Sequence, residues 1–174
     1  AVKFLADIIM QEMPELAAAA CRPLAATGAP EAVEVLLKAS EARPPQVKAA
    51  ALAALRDKKA KLSEAQAARV KLQLLGKGAP DLRQAAARLL GAQDDVASAK
   101  ALVQALGAPK IEEELAVAIE QALAGCANKD VLEYLFDTAL GGEAKAPRQS
   151  IALMRIAVAK KAARAAAAIE KLVD

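Results

Sequence analysis

The chain has 174 residues and a formal charge of +3; 56% of its side chains are apolar and only 2% aromatic. It has no His, no Trp and two Cys, which argues against a zinc site of the usual kind, a serine triad and a disulfide framework. No run reaches the ~18 apolar residues of a membrane span, and 48 alanines, with Gly and Pro mostly at segment borders, point to an all-α protein.

Taken in order, Phe4, Leu5, Ile8 and Ile9 form a first apolar stripe ending near Glu12. Pro14 opens a second helix, PELAAAACRPLAAT, which Pro23 should kink or split, because its ring removes a helical hydrogen bond. Gly28-Ala29-Pro30 is a turn, Glu31 to Ala39 a third helix, Arg43-Pro44-Pro45 a rigid break, and Gln46 to Arg56 a fourth helix. Ser63 and Gln66 form a capping box for the fifth. Its expected buried stripe is Ala65, Ala68, Leu72 and Leu75, and it stops at Gly76-Lys77-Gly78. Pro80 and Asp81 open the sixth helix, with Leu82, Ala86 and Leu90 on one stripe and Gly91 as its stop. Asp94 and Asp95 open the seventh, which ends at Gly107-Ala108-Pro109. Lys110 to Ala124 is the eighth and Lys129 to Leu140 the ninth. Residues 141–147 read as a loop. Two helices then cover Arg148 to Val158 and Ala162 to Val173, with one long helix as the alternative, since no Gly or Pro divides them.

The even-numbered helices align. Leu16-Ala20-Leu24, Val47-Ala51-Leu55, Leu82-Ala86-Leu90 and Leu115-Ile119-Leu123 share one apolar–small–apolar spacing, and Gln149-Leu153-Ala157 is a fifth, poorer copy. The first members lie 31, 35, 33 and 34 residues apart. A period of that length holding two helices is the mark of a helical repeat array, in which stacked neighbours bury faces that one pair cannot bury alone.

The segments VKAAALAALR (Val47 to Arg56) and LRQAAARLLG (Leu82 to Gly91) resemble the second helix of a HEAT-like repeat of the short bacterial type. An apolar–basic pair opens the helix, an Ala packs in its middle and a Leu closes it. The tetratricopeptide alternative lacks its Trp-Leu-Gly landmark. The resemblance implies a right-handed α-solenoid of about five antiparallel helix pairs plus a terminal helix, covering residues 1–174 as a single domain. It also implies a non-enzymatic scaffold that binds another protein on its concave face. The HEAT-like hydroxylases hold iron with His-Glu pairs and the HEAT-like alkyl-base glycosylases use aromatic clefts; this chain has no His and almost no aromatics. No cofactor and no metal are therefore expected.

The concave side should be lined by the outward face of the even helices. Six residues past each stripe opener is about 240° round the helix, away from the core. Those positions are Arg22, Ala53, Arg88, Gln121 and Arg155. The candidate partner-contacting set is Arg22, Gln84, Arg88, Gln121 and Arg155, and the guanidinium groups favour a partner with an acidic segment or one that bears phosphates. Against this stands the plain fact that Arg is a good surface helix residue.

Two other readings are carried. Residues 58–110 hold ten basic and four acidic side chains, so Lys58, Lys59, Lys61, Arg69, Lys71 and Lys77 could serve a nucleic-acid-binding module. The zone lacks aromatics for base stacking. It also adjoins residues 111–140, with one basic and seven acidic side chains, so nucleic acid is the less favoured partner. The third reading is an architectural segment of a larger repeat protein, and the start at Ala1 leaves the chain open to being such a piece. No secretory layout is present at the start, and the expected compartment is the cytoplasm.

The remaining motifs read as structural. Glu112-Glu113-Glu114 suits a helix start, and Cys21 and Cys126 read as small buried residues. Lys48 and Arg83 are expected to pair with acids at turns between repeats, such as Asp57, Asp94 or Asp95.

Overall fold

The computed structural model describes residues 1–11, 13–140 and 147–173, with side chains described through Lys161 apart from Pro147. Ten α-helices and no strand are present among these residues. They are α1 (Val2–Gln11), α2 (Pro14–Ala26), α3 (Pro30–Ala42), α4 (Pro45–Asp57), α5 (Glu64–Leu75), α6 (Pro80–Gln93), α7 (Val96–Leu106), α8 (Glu113–Gly125), α9 (Lys129–Leu140) and α10 (Pro147–Val173). Proline opens α2, α3, α4, α6 and α10, where its fixed φ suits the first turn and its missing N–H costs nothing. At α5 the Gln66 N–H donates to Ser63 Oγ, and the Ser63 N–H donates to Gln66 Oε1, completing the capping box.

Each odd helix packs on the even helix that follows it. The even helices also pack on one another in sequence, α2 on α4, α4 on α6 and α6 on α8. The core lies between these layers. Leu24, Leu36, Leu37, Leu52, Leu55, Leu89, Leu90, Leu102 and Leu115 are essentially inaccessible. Leu82, Ala86 and Leu90 are buried together, and so are Gln149, Leu153 and Ala157, the weakest copy by sequence.

Several expectations give way. Gly91 does not end α6, which runs to Gln93; Asp94 ends it by taking the left-handed conformation at φ 55°. Helix α2 is not split at Pro23 and continues to Ala26. Pro23 and Ala19, whose carbonyl loses its partner, are both exposed, so water can replace that bond. Helix α3 continues to Ala42 and α8 begins only at Glu113. In α5 the predicted stripe fails: Ala65, Ala68 and Leu72 are exposed, and Val70 and Leu74 face the core instead. Leu16, the first stripe opener, is 54% exposed, while its counterparts Val47, Leu82 and Leu115 are 0%, 6% and 0%. The last segment is one helix, α10. The expected loop at 141–147 and the boundary at Glu12 fall on or next to residues outside those described.

Polar contacts tie successive pairs together. Gln93 is buried, accepts the Leu62 N–H at 2.9 Å and donates to the Ala60 carbonyl at 3.0 Å, while Lys61 Nζ donates to the Gln93 carbonyl at 3.1 Å. Asp94 accepts the backbone N–H groups of Ala127 and Asn128 at 3.0 and 3.1 Å, so the end of α6 holds the start of α9. Asp95 caps α7 through the Ser98 N–H. Arg83 pairs with Glu112 at 3.5 Å and donates to the Leu74 carbonyl. Its role is structural as expected, but its partner is none of the three aspartates, which are engaged by turns and by other arginines. Burial pushes both thiols up to about 11, Cys21 wholly inside the core and Cys126 beside Gly91.

Candidate partner-binding surface

The outward face of the even helices is built by the same rule that fills the core. Small and apolar residues turn toward neighbouring helices, and the ninth residue of each helix is left pointing out. Arg22, Arg88, Gln121 and Arg155 are all exposed there, and Ala53 is half-buried. Gln84 lies one turn before Arg88 and accepts from its guanidinium at 3.5 Å.

Arg88 and Gln121 line one shallow depression of about 390 Å³, together with Arg56 from α4. Its floor is Gly91, Ala92, Ala122 and Gly125, so nothing larger than a methyl group stands between the polar rim and the two helix backbones. Arg155 lines a neighbouring depression of about 400 Å³ with Glu120, Arg148, Ile151 and Ala152. Arg22 lies beyond the other end, beside Arg56, because both contact Asp57.

The charges on this face are not equally free. Asp57 accepts from Arg56 at 2.5 Å and from Arg22 at 3.3 Å, and the Arg56 hydrogen bond leads in holding its carboxyl below the usual range. Arg148 grips Glu113 through two bonds of 2.6 and 2.9 Å, which raises the guanidinium and lowers the Glu113 carboxyl. Arg88 and Arg155 form no ion pair among the described residues. They are the two cations of the set left to meet a partner. Sequence reasoning missed Arg56 and Arg148 as members of this surface. Both sit near helix ends, where a cation reads as a dipole partner or a start residue.

The basic zone is partly consumed inside the molecule. Arg69 is clamped between Glu34 and Glu41, with four bonds of 2.6 to 3.0 Å, and Lys61 is held by the Gln93 carbonyl. Lys58 and Lys61 line a larger hollow of about 420 Å³, whose wall is mainly apolar, with Val33, Leu36 and Leu55. It shares no residue with the arginine-lined depressions. Its size does not make it the better candidate: Lys58 and Lys61 are its only charged lining residues, and Lys61 already donates to the Gln93 carbonyl. No cluster of three metal-ligating side chains occurs among the described residues, and no helix there is long and apolar enough to cross a membrane.

No family model matches the chain, and no curated protein matches it significantly.

Proposed function

We propose that the chain is a non-enzymatic interaction module, a HEAT-like α-solenoid that binds an acidic segment of another protein across the outward faces of α4, α6, α8 and α10. The supporting observation is the depression in which Arg88, without an ion pair, stands beside Arg56 and Gln121 over a floor of Gly and Ala. A guanidinium fork recognises carboxylates through paired hydrogen bonds, and the two glutamines Gln84 and Gln121 can satisfy backbone groups of an extended chain. The side-by-side packing of the even helices supports the solenoid reading, since that is how a two-layer repeat array presents one continuous face.

The test is a peptide-library selection on the folded protein, followed by fluorescence anisotropy with the selected peptides. Peptides rich in Asp and Glu should emerge. Arg88→Glu should weaken them by about 30-fold or more, equivalent to roughly 2 kcal/mol for a desolvated pair. Circular dichroism should not change, because Arg88 is exposed. Selected peptides indifferent to Arg88→Glu would defeat the proposal. Sub-micromolar binding of duplex or single-stranded nucleic acid at physiological salt would move the reading to the basic zone instead.

A further inference from the structure

The even helices stack with a fixed polarity. A methyl group built on Gly91, the twelfth residue of α6, would sit 2.6 Å from Cβ of Ala122, the tenth residue of α8. In this pair the tenth-residue flank of α8 faces α6 and the twelfth-residue flank of α6 faces α8. Helix geometry puts the third residue beside the tenth and the eighth beside the twelfth, and the same neighbour-on-neighbour packing runs from α2 to α8. Burial follows the same rule. Tenth residues Ala54 and Leu89 are fully buried, as are the eighth residues Leu52 and Ala87.

At the two ends of the row the rule leaves apolar surface bare. On the backward flank of α2, Leu16 and Pro23 are exposed, where every counterpart of Leu16 in α4, α6 and α8 is buried. Phe4 and Met13, from the same terminal pair, are 68% and 64% exposed. On the forward flank of α10, the eighth residue Met154 and the twelfth residue Val158 are 42% and 65% exposed. Exposed large apolar side chains at equivalent positions of a repeated interface mark an interface with one half absent. The two ends also differ in sign. Among the residues whose side chains are described, 1–20 carry one basic and two acidic groups, and 148–161 carry four basic and none acidic.

We infer that these two flanks are the halves of a head-to-tail contact between copies of this chain, with Leu16 of one copy packed against Met154 and Val158 of the next. The contact continues the interface already formed inside each copy between α6 and α8, and the opposite charge of the two ends selects the head-to-tail pairing over head-to-head or tail-to-tail. Because the two patches are different surfaces, the association is heterologous and does not close on itself as a two-fold dimer does. It stands independently of the arginine-lined surface, which uses the ninth residues of the helices.

Sedimentation velocity over a concentration series of the 174-residue chain tests this. The protein should form a concentration-dependent ladder of dimers and longer species, weakened by salt. Leu16→Glu and Val158→Glu should each reduce self-association at least about tenfold, and circular dichroism should stay unchanged because both residues are exposed. An equimolar mixture of the two variants should recover a dimer and go no further. In that mixture one intact forward flank meets one intact backward flank. A monomer at all concentrations overturns the inference. So does dimerisation of Leu16→Glu alone at the wild-type level, since only a like-to-like contact would survive that change.

Discussion

Gly91 sits where α6 and α8 approach more closely than two methyl groups allow. By sequence it reads as a helix stop, because glycine after a Leu-Leu pair is the usual punctuation. Its use is instead to have no side chain at a helix crossing, and the true end of α6 comes three residues later at Asp94. Nearby Gln93 spends a buried amide on the α4–α5 connection, which a hydrophobic pattern has no means of signalling. Gly91→Ala brings two opposed effects. Alanine is the better helix former by about 1 kcal/mol, but the overlap with Ala122 forces a shift that costs about 1–3 kcal/mol. The net outcome should be a loss of about 1 kcal/mol in urea unfolding. Pairing it with Ala122→Gly should recover part of that loss, giving a clear coupling in a double-mutant cycle. Strict additivity would mean that α6 and α8 do not meet at this point.

At the scale of elements, helix borders were legible because Pro, Gly and capping residues have local physical causes. The buried faces of the even helices were legible because Leu and Ala repeat there at one spacing. Helix α5 was not legible. Its sequence offers Ala65, Ala68, Leu72 and Leu75 as a plausible stripe, yet the helix is rotated so that Val70 and Leu74 go inward. The rotation lets Arg69 reach Glu34 and Glu41 and lets Gln73 donate to Ser40 Oγ at 2.8 Å. Those partners lie on α3, so only the three-dimensional neighbour explains the phase. The candidate surface shows the same division. The outward position of Arg88 and Gln121 follows from helix geometry, while the partners that occupy Arg22 come from another helix. The Arg69 clamp has a pH consequence. Hydrogen bonding from Arg69 leads in lowering the Glu34 carboxyl, so its stabilising contribution is full above the ordinary carboxylate range of about pH 4. That contribution is lost as pH falls through the lowered value. The stability difference between wild type and Arg69→Met should therefore be constant near neutrality and shrink as pH falls below the ordinary carboxylate range of about pH 4. Denaturant midpoints across that range are the measurement. A difference independent of pH would assign the effect of Arg69 to packing rather than to its ion pairs.

At the scale of the molecule, substantive packing among the described residues joins helices close in the chain: α1 reaches α3, α2 reaches α4, and the most distant such pair is α7 with α10. Stability should then be transmitted from neighbour to neighbour rather than shared through one central core. Helices α4 and α6 have an even helix on both sides and an odd helix of their own, whereas among the described residues α1 packs on α2 and α3. Their amides should exchange slowest and those of α1 among the fastest. Leu24→Ala and Leu89→Ala remove equally inaccessible side chains from the end and the middle of the row, each at a cost of about 2–5 kcal/mol. The first should speed hydrogen exchange in α1, α2 and α3 and leave α8 and α9 near wild-type rates. The second should speed it on both sides, from α4 through α8, because α6 is the link between them. Mass spectrometry of peptic peptides resolves these segments. Uniform acceleration of every helix by Leu24→Ala would show that the chain opens as a single cooperative unit. In that case the neighbour-by-neighbour account of its stability would be wrong, even with each helix in its place.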